Sequence, residues 1–191
     1  MNERKALAVD DASANRDFLE RLLGGAKFKV LGAGTGAAAL QVIEGLEKLE
    51  LAVVDWKLPD TTGLDLACTI RQRFPDTYIV IATMYDERSM MEEAFANGCN
   101  VFLVKPHGFM ELFQRLLTTD IEELCAAPST IIDQYGPRLF KASTNSVPKV
   151  VIPKDSTVTR EIAAVKTKTS EAVKVTTASV VAEASKDKAA S

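Results

Sequence analysis

The chain has one histidine, one tryptophan and three cysteines among its 191 residues. A lone imidazole, His107, excludes a histidine-rich metal centre. Cys68, Cys99 and Cys125 match no CxxC or zinc-binding spacing, and an odd number gives no disulfide framework. They read as small, buried or half-buried residues of a reducing compartment. Long apolar runs are missing too. None approaches the roughly 18 residues of a membrane span, and the first five residues, MNERK, do not lead into a signal-type stretch. A cytoplasmic protein is expected.

Charge of one sign is also in short supply. The formal net charge is -3, and residues 142–191 hold eight Lys/Arg against five Asp/Glu, so a mildly acidic body carries a weakly basic tail. Neither makes an electrostatic case for nucleic acid as a partner. The same tail contains no glycine and no aromatic residue, and neither a helical nor a strand period persists in it. It reads as low-complexity and disordered. Residues 127–141 retain apolar side chains and read as an arm that could pack on the body.

What remains, residues 1–126, alternates short apolar runs with longer stretches of helical period. Strands are expected at 5–9, 28–33, 51–54, 78–82 and 101–104, and helices at 13–23, 36–46, 64–74, 87–97 and 109–117, with an extension of the last toward 124 left open. Gly24-Gly25, Pro59, Gly63, Pro75-Asp76 and Gly98 punctuate these elements. Continuous apolar strands imply a parallel sheet covered on both faces, and right-handed crossovers leave few topologies.

Polar residues gather at one edge of that sheet. Asp10 and Asp11 follow the first strand, Asp55 the third, Thr83 the fourth and Lys105 the fifth. In an open parallel sheet this is the edge that takes ligands. Three carboxylates suit a hard divalent cation, and Mg²⁺ accepts carboxylates, carbonyls, waters and phosphate oxygens together. With the metal, Asp55 is a nucleophile toward phosphorus. An ammonium and a hydroxyl neutralise charge on a transferring phosphoryl group, the main requirement of that chemistry. Each residue alone has a plainer reading: Asp10-Asp11 or Thr83 as helix caps, Asp55 through Pro59 as a turn, Lys105 as a solvated charge. It is their joint placement on one edge that favours a site.

The blocks VDD at 9–11, VVDWKLPDTTGL at 53–64, IVIATMYDE at 79–87 and ANGCNVFLVKP at 96–106 resemble, in order, the signature blocks of response-regulator receiver domains. The resemblance spans about residues 5–117. It implies a flavodoxin-like, doubly wound (βα)5 sheet of order 2-1-3-4-5. It also implies Mg²⁺ on Asp10, Asp11, Asp55 and the Lys57 backbone carbonyl, phosphorylation of Asp55, phosphoryl contacts from Thr83 and Lys105, and a cis peptide at Lys105-Pro106. Thr83 and Phe102 are then switch residues that bias the face of helix 4, strand 5 and helix 5. The phosphoryl group comes from a histidine kinase or phosphotransfer protein, and that face docks a downstream protein or a second copy of the chain.

Three departures from the common pattern involve four residues. Met84 replaces a small residue beside Thr83 and could crowd Asp55, Phe102 lacks the hydroxyl of the usual tyrosine, and Lys57 and Tyr85 occupy positions that tune phosphoryl lifetime. The expected role is a phosphoacceptor signalling domain rather than an enzyme, though it takes part in phosphoryl transfer and its own dephosphorylation. Two alternatives stay open: a DNA-binding regulator with an unrecognised output region, and a receiver-like scaffold that does not use phosphorylation.

Overall fold

The computed structural model describes residues 3–141; the segment 142–191, read as a disordered tail, lies outside them. Elements run in the order β1 (Lys5–Val9), α1 (Ser13–Gly25), β2 (Lys29–Ala33), α2 (Gly36–Val42), β3 (Leu51–Asp55), α3 (Gly63–Arg73), β4 (Tyr78–Thr83), α4 (Arg88–Ala96), β5 (Val101–Val104), α5 (Gly108–Thr118), α6 (Ile121–Ala126), β6 (Thr130–Asp133) and β7 (Gly136–Leu139).

β1 through β6 pair in parallel, and the first five strands take the order 2-1-3-4-5. β3 and β4 are central and almost wholly buried, which is why their sequences are uninterrupted apolar runs. One face of the sheet packs α2, α3 and α4 around Val54, Ile70, Ile81, Met91 and Phe102. The other packs α1, α5 and α6 around Leu19, Val80, Leu103, Leu112 and Leu124.

Two helices differ from their sequence expectation. α2 stops at Val42, with Ile43 as its C-cap, and Gly45 follows at φ +87, a left-handed turn that glycine makes without steric cost. The last helix breaks where Thr119 turns extended (φ -132, ψ 137), and α6 begins anew after Asp120.

The larger difference lies beyond α6. Within the segment read as an arm, β6 joins the sheet parallel to β5, pairing Phe102 with Ile131 and Leu103 with Ile132. β7 returns antiparallel beside it. Gly136, at φ +90, closes the turn, a left-handed position typical of a bulged hairpin loop. The Asp133 carboxylate accepts from Tyr135 N at 2.9 Å and pairs with Arg138. β5 is therefore an interior strand. Among the described residues the free edge has passed to β7. Phe140 N donates inward to Ser129 O, so alternation turns the nitrogen of Pro137 outward. A proline there removes a donor that another strand would need, and so blunts the edge.

Candidate functional site

Backbone pairing brings the polar residues together. β1, β3, β4 and β5 end side by side, tied by Asp10 N to Ala33 O, Trp56 N to Ala82 O and Lys105 N to Thr83 O at 2.7 Å. Gly63 starts α3 directly against the end of β3. A Cβ at Gly63 would stand 2.1 Å from Asp55 O, so no other residue fits there without displacing the backbone at Asp55.

Asp10, Asp11 and Asp55 offer carboxylate oxygens that lie within 4.8 Å of one another. Lys105 reaches between two of them, with Nζ 2.6 Å from Asp55 Oδ1 and 2.7 Å from Asp10 Oδ2. Its side chain is 9% exposed and that of Asp55 16%. Burial pushes the Asp55 carboxyl above its ordinary value; the Lys105 hydrogen bond and charge pull it back, and the charges of Asp10 and Asp11 push it further up. For Lys105, burial acts to lower the ammonium, but its hydrogen bonds to Asp10 and Asp55 and their charges outweigh that, and the net direction is up.

Two residues at the site had no place in the sequence reading. Asn15 Nδ2 lies 3.0 and 3.1 Å from the two oxygens of Asp10. Arg16 Nη1 donates to the carbonyls of Asp10, at 2.7 Å, and Asp11, at 3.1 Å. Their signal is faint: a polar pair in the first turns of α1, on the helix end that faces the carboxylates. With Ala12 N also donating at 3.0 Å, both oxygens of the buried Asp10 are engaged. Asp11 is exposed and free to face a cation.

The remaining predicted residues line or back this edge. Thr83 is buried, and its Oγ1 accepts from Tyr85 N at 3.2 Å. Lys57 forms a bridge with Thr62 in the loop after β3, and its ammonium stands 5.4 Å from the Tyr85 ring centroid. Asp60, in the same loop, accepts from Gly36 N at 2.8 Å and Ala37 N at 2.9 Å, clamping the loop to the start of α2. Met84 is 67% exposed, so most of its side chain stands in solvent. Phe102 is fully buried, edge-on to Trp56 at 6.3 Å. Its in-sheet neighbours are Ile81 on β4 and Ile131 on β6. The Lys105-Pro106 peptide is cis.

The sheet order, with three carboxylates grouped at one edge, is that of a receiver-type fold. Residues 6–117 match the family described as the response regulator receiver domain. The chain belongs to that family. It is 36% identical to the response regulator protein PilR of Pseudomonas aeruginosa over 106 residues, 56% of this chain but 24% of PilR. It is 27% identical to the two-component response regulator ORR3 of Oryza sativa, covering 64% of this chain and 88% of ORR3. The chain thus spans about a quarter of PilR and most of ORR3. Among solved structures, a CheY-like receiver protein of Methanospirillum hungatei superposes with a TM-score of 0.58 at 25% identity, over 64% of this chain and 97% of that one. A Burkholderia pseudomallei response regulator, solved with a phosphorylated aspartic acid, a calcium ion and citrate, gives 0.55 at 27% identity, over 65% and 72%. No helix among the described residues is long and apolar enough to cross a membrane.

Proposed function

We propose that Asp55 accepts a phosphoryl group from a phosphohistidine on a kinase or phosphotransfer protein, in the cytoplasm, and that the change of charge alters which proteins the chain binds. The observation that carries this is the position of Lys105 between Asp55 and Asp10. An Asp55 oxygen attacks phosphorus, a P–O bond forms as the P–N bond breaks, and the imidazole nitrogen departs with the electron pair. The Lys105 ammonium would follow the charge onto the phosphoryl oxygens, and the Thr83 hydroxyl would donate to another. A relative with a phosphorylated aspartate and a bound divalent cation supports the same chemistry.

The donor set fits Mg²⁺: all-oxygen, with one exposed and one half-buried carboxylate beside a buried one. Asp11, Asp55 and the Lys57 carbonyl would hold the ion, with Asp10 behind them. When bound, it screens the carboxylates from one another and draws charge from phosphoryl oxygens. Asn15 and Arg16 keep Asp10 and the Asp10-Asp11 backbone in place for it.

The test is Asp11→Ala. That variant should keep its fold and lose Mg²⁺-dependent uptake of phosphoryl from acetyl phosphate. Normal uptake in Asp11→Ala, or in excess EDTA, contradicts the metal-assisted reading.

A further inference from the structure

The face of α4, β5 and α5, where a downstream partner is expected, is covered by this chain's own hairpin. β6 fills the edge of β5. From the end of β7, Phe140 packs on Phe95 of α4 with ring centroids 4.6 Å apart. Arg88, at the start of α4, stacks its guanidinium 5.6 Å from the Phe140 centroid and donates to Lys141 O at 2.8 Å. Three contacts from two α4 residues hold one dipeptide.

The covering reaches the site. Phe102 is boxed in-sheet between Ile81 and Ile131. Were β5 an edge strand, the flank now held by Ile131 would be open to solvent and Phe102 could swing into it. Trp56, Phe102, Ile131, Met91, Phe95 and Phe140 share one apolar cluster, which runs from the residue beside Asp55 to the residue on α4.

The two ends of the hairpin are not equally held. Ile131 and Ile132 are core residues. Freeing them would expose apolar surface and break the β5–β6 ladder, so β6 stays. Phe140 is half-buried, Leu139 and Lys141 are exposed, and Pro137 keeps further strands off β7. The segment after β7 is the part that can part from α4 without opening the core.

We infer that Phe140 and Lys141 form a latch in cis. With Asp55 unmodified, the latch closes the α4 surface, while β6 keeps Phe102 inward in either state. Phosphoryl loading shifts α4 and weakens the latch, which uncovers Phe95 and releases Arg88 from the Phe140 ring and the Lys141 carbonyl. A downstream protein binds this receiver by taking the place of Phe140 on α4, so it must offer an aromatic or similarly broad apolar side chain to Phe95. The coupling rests on the phosphoacceptor reading; the latch itself does not.

Amide hydrogen exchange on the full chain separates the two. Mg²⁺ with beryllofluoride serves as the phosphoryl mimic, and the single tryptophan, Trp56, reports its binding by fluorescence. Loading should speed exchange at Phe140 and Lys141 and in α4 severalfold and leave 130–133 protected. Phe140→Ala should show fast exchange at α4 with or without the mimic, and Phe140→Tyr should restore protection. Binding of the mimic, seen at Trp56, with no change at Phe140 and Lys141 overturns the coupling. Unchanged α4 protection in Phe140→Ala overturns the latch, whatever happens at Asp55. A Trp56 signal that ignores the mimic overturns the phosphoacceptor reading and the coupling with it.

Discussion

Lys105 Nζ stands 2.6 Å from Asp55 Oδ1, a charge-assisted contact across 50 residues of sequence. The same ammonium reaches Asp10, so one cation offsets two largely buried carboxylates. Removing one partner of a buried ion pair leaves charge without compensation. Lys105→Ala is therefore expected to lose about 3 kcal/mol of stability in EDTA. Mg²⁺ should return part of the loss by taking over the compensation. Denaturant unfolding with and without the ion checks this, and an unchanged midpoint in EDTA would show that the pair is not needed for folding.

Asp60 gives a prediction with a pH signature. Backbone N–H donation from Ala37 and Gly36 holds its carboxyl below the ordinary 3.8. Because the folded value is the lower one, the ionised form stabilises the fold. That contribution is complete above the unfolded value and is lost as pH falls through the lowered folded value. Asp60→Asn should thus melt below wild type at neutral pH, and the two curves should converge at strongly acidic pH. Parallel curves down to the lowest measurable pH would rule out the clamp as ionic.

The hairpin belongs to the folded body. Ile132 is fully buried, and truncating it to alanine is expected to cost about 2–5 kcal/mol. A chain ending at Lys141 should melt like the full chain, whereas one ending at Ser129 should melt well below it, since it exposes the β5 edge. Equal melting of both truncations would contradict the role given to β6.

How far the sequence reveals this depends on where each element sits. β3 and β4 are legible because a strand buried on both faces is apolar throughout, as in IVIA at 79–82. The carboxylates, Thr83 and Lys105 are legible because parallel strands bring all their C-terminal ends to one edge. The hairpin is not, since GPRL carries a proline and a glycine in four residues and three of them face solvent, leaving no strand period to detect. Its place beside β5 depends on non-local pairing that nothing in residues 130–139 announces. Asn15 escapes for a similar reason: its meaning comes from the Asp10 oxygens it meets, and only the fold brings α1's first turn onto them.

The central claim is that Asp55 carries the phosphoryl group. The most direct measurement is incubation of wild type and Asp55→Asn with a histidine kinase or acetyl phosphate and Mg²⁺, followed by mass spectrometry of the intact chain and its peptides. One phosphoryl group is predicted on wild type, within the peptide holding Asp55, labile to hydroxylamine and absent from Asp55→Asn. Equal labelling of the variant, or a stable phosphoryl group elsewhere in wild type, would contradict the account.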